Sequence, residues 1–221
     1  MRTHTKEFQQ NLTPQQAFEV LANGNKRFTN NLKMNRDLLN LLSETAAGQY
    51  PFAVVLSCMD SRTSIELIFD QGLGDIFSIR IAGNVVNDDI IGSMEYACAA
   101  AGSKLIVVLG HSRCGAVKGA CDHVQMGNLT NLLSKLDPAI QAVRSNNITE
   151  TSADYVESVA AANVINSMDE ILHKSDILLQ LYKEGKIGIV GGMYSVETGN
   201  VEFIRTDFAT PVTEDASLAS A

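Results

Sequence analysis

The sequence predicts a single α/β domain built around a mostly parallel β-sheet with an antiparallel edge strand, flanked by helices. Short apolar runs recur at residues 52–56, 76–81, 105–109 and 187–190; they are continuous rather than alternating, except where Ser78 and Arg80 break the second, as strands covered on both faces are. Helical patterns separate these runs, among them 65–69 and 90–101. A last run, 201–204, follows the fourth across a turn at Thr198, Gly199 and Asn200, which suits a strand folding back along the sheet edge.

Each element has its own signal. Thr13 and Pro14 can open a helix as cap and first helical residue, and Ala17, Phe18, Val20, Leu21 and Phe28 then form an apolar stripe that Gly24 interrupts. Leu38, Leu39, Leu41 and Leu42 form a second stretch ending near Gly48, too short to be stable alone and expected to pack on something else as an arm. Residues 112–124 continue the helical texture through Cys114, Val117, Ala120, Cys121 and Val124, and longer helices are expected over 153–172 and 175–182. The chain therefore divides into a helical arm (1–50), an α/β catalytic domain (51–210) and a loosely held tail (211–221) rich in small and acidic residues.

Composition narrows the function. With 221 residues, 45% of them hydrophobic, the chain can bury one substantial core. A formal net charge of -8 removes the basic footprint that nucleic-acid binding needs, so no nucleic-acid partner is expected. No apolar run approaches the roughly 20 residues of a membrane span, and residues 1–10 hold no apolar signal region, so the expectation is a cytoplasmic protein without a membrane partner. Four cysteines in a chain of this length and expected location do not suggest a disulfide framework.

Two segments carry chemistry. Ser57-Cys58-Met59-Asp60-Ser61-Arg62 lies immediately beyond the first strand, and Gly110-His111-Ser112-Arg113-Cys114-Gly115 immediately beyond the third. In an open parallel sheet both would arrive at the crevice outside the carboxyl ends of the strands, where reactive groups collect. Together they offer two thiolates and one imidazole, Cys58, Cys114 and His111, a borderline-soft set suited to Zn2+. No fourth Cys or His accompanies them, so one coordination position stays open, as in catalytic rather than structural zinc sites. A redox thiol pair is the competing reading, but the adjacent Cys-x-x-Cys is missing.

Cys58-x-Asp60-Ser61-Arg62 followed by His111-x-x-Cys114-Gly115 resembles the signature of the β-class carbonic anhydrases. Similarity extends from about Thr13 to Phe203, through Asp70-Gln71-Gly72-Leu73-Gly74-Asp75, Arg80-Ile81-Ala82-Gly83-Asn84, Gly92-Ser93-Met94-Glu95-Tyr96 and Gly191-Gly192-Met193-Tyr194. The resemblance implies reversible hydration of carbon dioxide to bicarbonate by a zinc-bound hydroxide, with Cys58, His111 and Cys114 as ligands and the Asp60-Arg62 pair orienting the hydroxide. It implies further that Gln49 donates a hydrogen bond to substrate, and that Phe77 and Tyr96 line the apolar side of a pocket built at a dimer interface. The N-terminal helical arm would then pack on a partner subunit, in a homodimer or a dimer of dimers.

Some members of that family close the site by turning the aspartate onto zinc, with a bicarbonate pocket that uses a tryptophan three residues before the first cysteine. Val55 stands at that position and the chain has no tryptophan, although Arg80 and Tyr194 match the rest of the pocket, so an open site is expected. His4, His123 and His173 lie outside every motif, leaving the proton to buffer, and Cys98 and Cys121 are expected in the core. Two other functions fit the same motifs: a zinc hydrolase of carbonyl sulfide or carbon disulfide on this fold, or a non-catalytic zinc protein that is structural or senses bicarbonate.

Overall fold

A computed structural model describes residues 4–209 of the chain. The tail read at 211–221 lies outside the described residues. Three helices come first, α1 (Lys6–Asn11), α2 (Pro14–Thr29) and α3 (Leu38–Thr45), followed by β1 (Ala53–Ser57), α4 (Ile65–Ile68), β2 (Ile76–Arg80), α5 (Asp88–Glu95) and β3 (Leu105–His111). The chain continues through α6 (Gly115–Cys121), α7 (Gly127–Leu133), α8 (Asp137–Ser145), α9 (Tyr155–Lys174), α10 (Asp176–Lys183), β4 (Gly188–Tyr194) and β5 (Val201–Phe208). The strands form one five-stranded sheet in the order β2-β1-β3-β4-β5, parallel except for the antiparallel β5 at one edge.

The continuous apolar runs become β1 and β3, buried at every residue, because both faces of the sheet are covered. Val54, Leu56, Ile106 and Val108 point to the face packed by α5, α9 and α10, where Met94, Val164, Met168, Ile171 and Leu178 complete the core. Ala53, Val55, Leu105, Val107 and Leu109 point to the other, where α2 and α4 bring Ala17, Leu21, Ile65 and Ile68. Fully burying a side chain such as Leu21 or Ile65 contributes about 1.5–3 kcal/mol.

Helix α2 starts as the sequence suggests, with Thr13 and Gln16 closing a capping box and Pro14 in the first turn. It is anchored on its own sheet: Asn25 donates to the Ile68 and Gly199 carbonyls and accepts from the Val201 N–H. Gly24, which interrupts the apolar stripe, lies where a Cβ would sit 1.8 Å from the Phe69 carbonyl oxygen, so the gap in the stripe is the crossing point with α4. The apolar side chains left exposed lie further on: Leu32, Leu38, Leu39 and Leu42. Arg27 and Arg36 both pair with the buried Asp70 carboxylate and tie this stretch to the turn after α4.

The chain leaves β1 for β2 on one side and returns through α5 to β3 on the other, so β1 and β3 are neighbours whose connections diverge. A crevice opens at that switch point, outside the carboxyl ends of the two strands. They are locked in register from Ala53↔Leu105 to Ser57↔Leu109.

Candidate metal centre

Both chemical segments arrive at this crevice. Cys58 follows the last residue of β1, and His111 is the last residue of β3. Beyond His111 the expected helix over 112–124 is shorter than the apolar spacing suggested: Arg113 takes φ 55, a left-handed turn that ends the strand and makes Cys114 the N-cap of α6. The turn is pinned by the Ser112 N–H donating to the Tyr194 carbonyl and by the Ser112 hydroxyl accepting from the Val196 N–H.

Cys58, His111 and Cys114 are all buried, and their ligand atoms lie within 4.8 Å of one another. The two sulfurs stand 3.9 Å apart, far beyond the roughly 2.05 Å of a disulfide. Two thiolates each about 2.3 Å from one tetrahedral ion would stand about 3.8 Å apart, so the observed spacing already suits zinc. His111 presents the right nitrogen. Its Nδ1 is 2.9 Å from the Ser112 carbonyl and donates to it, leaving Nε2 as a lone-pair donor that is buried without a hydrogen-bond partner among the described residues. An orphaned buried imidazole nitrogen beside two thiols is costly unless a cation occupies the space between them. The donor set therefore fits Zn2+.

Electrostatics agree. The hydrogen bond from Cys114 draws the Cys58 thiol down to about 4, with His111 and the backbone amides of Asp60 and Gly83 adding to the effect against its burial. Cys114 moves up in response, since it holds the shared proton, although the Val117 and Ala116 amides face its sulfur. Burial draws His111 down, but the neighbouring Cys58 thiolate outweighs it and the net movement is upward.

Asp60 and Arg62 form a fork beside the triad. Arg62 donates from Nε to Oδ1 at 2.9 Å and from Nη2 to Oδ2 at 2.8 Å, and its backbone N–H donates to Oδ1 at 2.9 Å. These bonds hold the Asp60 carboxyl well below the usual carboxylate range. Both oxygens face Arg62, and Asp60 lies outside the ligand cluster, which is the open arrangement. The loop is held by Thr63, which the sequence motifs left unassigned, and by Arg80. The buried Thr63 hydroxyl donates to the Cys58 and Asp60 carbonyls, and Arg80, at the end of β2, donates from Nη2 to the Asp60 carbonyl at 2.6 Å. Arg80 thus braces the metal loop in this chain, and Val55 is fully buried.

Within one chain the other predicted residues stand apart from the triad. Phe77 is paired in register with Val54, four residues or about 13 Å of strand before Cys58. Its ring meets that of Tyr96 edge-on, 6.1 Å between centroids, and both line a cavity of about 650 Å³ together with Ser78, Asp89 and Ser93. Gln49 is exposed, next to Gly74 at the amino-terminal end of the sheet. The length of β1, roughly 17 Å, separates it from its own triad. Cys98 is buried on the π-helical turn after α5, where burial pushes its thiol up to about 12. Cys121, expected in the core, is only half-buried, at the end of α6.

Comparison with known proteins gives a consistent result. The carbonic anhydrase family model matches residues 53–201. The chain is 35% identical to a carbonic anhydrase of Mycolicibacterium smegmatis, over 87% of this chain and 94% of that one. It is 32% identical to carbonic anhydrase 2 of Mycobacterium tuberculosis, over 86% and 92%. Among solved structures, the β-carbonic anhydrase CafA of Aspergillus fumigatus superposes with a TM-score of 0.69 at 26% identity, over 78% of this chain and 83% of that one. The β-carbonic anhydrase CcaA gives 0.67 at 27% identity, over 78% and 90%. With an open Cys-His-Cys zinc site at the switch point of its sheet, the chain belongs to the β-class carbonic anhydrases, enzymes of reversible carbon dioxide hydration.

Proposed function

We propose that this chain hydrates carbon dioxide in a pocket shared by two subunits, with Cys58, His111, Cys114, Asp60 and Arg62 from one and Gln49, Phe77 and Tyr96 from the other. The observation that carries the sharing is the length of the sheet: Gln49 and the Phe77–Tyr96 pair lie too far toward its amino-terminal end to serve their own triad. The exposed leucines at 32, 38, 39 and 42 supply an apolar surface for such a dimer, and it is through this stretch that the arm read over residues 1–50 would reach the partner.

Cys58, His111 and Cys114 would hold zinc, which when bound would supply Lewis acidity that draws the pKa of water from about 15.7 toward 7, less far than an all-imidazole site because two thiolates cancel the formal charge. Asp60, kept ionised by Arg62, accepts the O–H of the nucleophile and so directs a lone pair at the carbon of carbon dioxide. Phe77 and Tyr96 form a dry wall for an apolar substrate, and the Gln49 amide donates to the oxygen on which negative charge grows. The products are bicarbonate and one proton. No histidine outside the triad belongs to a relay: His4 stacks on Phe8 by the N-terminal helix, and His123 and His173 are exposed. Buffer takes the proton from the pocket.

No described helix is long and apolar enough to cross a membrane, and the chain's place of action is read as the cytoplasm.

Stopped-flow carbon dioxide hydration, with zinc content measured on the same sample, tests the activity. Subunit mixing tests the sharing. Cys58→Ala and Gln49→Ala proteins, dissociated and reassembled together, should regain up to about a quarter of native activity, from the one complete site in each mixed dimer. Mixed dimers that form without any recovery would refute the shared pocket.

A further inference from the structure

We propose that Asn163, on α9, is a positioning residue of the metal centre: it holds the Gly83 carbonyl and so fixes the backbone torsions at Gly83, which aim the N–H on the other side of that Cα at the Cys58 sulfur and tune that ligand's hold on the metal. The contact chain is complete. The Asn163 Nδ2 donates to the Gly83 carbonyl at 2.9 Å, and the Gly83 N–H donates to the Cys58 Sγ at 3.3 Å. All three residues are buried, Asn163 and Cys58 at 4% exposure each. They come from three distant parts of the chain, which helix α9 joins by lying across the sheet under the crevice.

Gly83 can do this because it has no side chain. Its φ is +67, the left-handed region that L side chains rarely adopt. A Cβ there would come within 3.3 Å of the Ala116 Cβ on α6. The turn is closed on one side by the Asn84 N–H donating to the Ile81 carbonyl. Its carbonyl is then held by Asn163 alone among the described hydrogen bonds. A buried asparagine amide that spends a donor on one loop carbonyl 80 residues away costs desolvation, which the bond must offset.

The electronic consequence follows from the ligand set. Two thiolates neutralise the formal charge of the metal, so any group that withdraws density from a sulfur restores part of the Lewis acidity. An N–H aimed at the sulfur does so, in the manner of outer hydrogen bonds at other metal sites. Without Asn163 the Gly83–Asn84 peptide is held only at the Asn84 N–H; the torsions at Gly83 are then freer, the N–H of the preceding peptide moves off the sulfur, and the thiolate is left richer and less firmly placed.

The proposal rests on Cys58 being a metal ligand. Its test uses protein loaded with cobalt in place of zinc, read by the sulfur-to-cobalt charge-transfer absorption, together with zinc affinity from chelator competition. Asn163→Leu keeps the branched shape, is somewhat larger and removes the donor; Asn163→Ser is smaller and fits should leucine not fold. Ile171→Ala, two turns further along α9, controls for general loosening of the helix. The expected result is a charge-transfer band moved to lower energy in either Asn163 variant, a 10- to 100-fold weaker zinc dissociation constant, roughly the range for outer partners of metal ligands, and an unmoved band in Ile171→Ala. A band unchanged in a fully loaded Asn163 variant, or one moved equally by Ile171→Ala, overturns the clamp. Wild-type protein that takes up no cobalt would instead overturn the ligand assignment, and the clamp with it.

Discussion

Replacing Arg62 with alanine removes two of the three hydrogen bonds that hold the Asp60 carboxylate, those from Nε and Nη2, and spares the one from the backbone N–H. Hydrogen bonds to charged groups contribute about 1.5–3 kcal/mol each when shielded. The Arg62 side chain is 48% exposed, so solvent screens the pair to well below that range, and the fork acts through its two-pronged geometry, which keeps both oxygens turned from the metal position. With two of the three donors gone the carboxylate loses its alignment, and Arg62→Ala should lower kcat/KM by roughly 10-fold, with Arg62→Lys, which can restore one contact, losing less. The loss should deepen as pH falls, because the freed carboxylate then competes better with a poorly ionised nucleophile for the open position. Stopped-flow hydration from pH 6 to 9, with zinc content confirmed, is the assay. An Arg62→Ala enzyme within about threefold of wild type at full zinc loading would show that the fork does not orient Asp60 for the reaction.

Cys58→Ala and Cys114→Ala should each reduce tightly held zinc from one ion per chain to almost none and abolish hydration, whereas Cys98→Ala should leave metal content unchanged, as measured by atomic emission on purified protein. Asp60 stays ionised because its folded pKa lies below the ordinary carboxylate value, so its contribution is complete above about pH 4 and is lost only as the pH falls further. Turnover should therefore climb through neutrality into the mildly alkaline range on a single inflection, and a second acid break between pH 5 and 7 would contradict this. Asp70→Ala strands Arg27 and Arg36 beside a buried turn and should cost about 3 kcal/mol in urea unfolding, the low end for a broken buried pair because both guanidinium groups can turn partly to solvent.

The sheet was legible because its central strands, β1 and β3, are continuous apolar runs, and the metal ligands because two motifs follow strand ends. The limits of β4 were not. The run at 187–190 reads as finished at Gly191 and Gly192, yet the strand continues to Tyr194, with Gly191 pressed against Val164 and Met168 of α9 so closely that the packing needs a residue without a side chain. Helix α1 escaped notice because its six residues, Lys6–Asn11, carry little apolar periodicity; Gln9 holds it down instead, through the Pro51 and Ala101 carbonyls. At the site, the roles of Thr63 and Asn163 were invisible for a similar reason. Each acts through a backbone group of a distant or neighbouring residue, and no spacing in a sequence announces which carbonyl a side chain will meet.

The five-rung ladder between β1 and β3 has one more consequence. Because the backbone itself brings the thiols and the imidazole together, stripping the ion with a chelator should leave an ordered, refillable cradle rather than an unfolded chain. Melting temperature should then track free zinc by simple mass action, saturably and reversibly, in contrast to small domains whose architecture exists only around their metal.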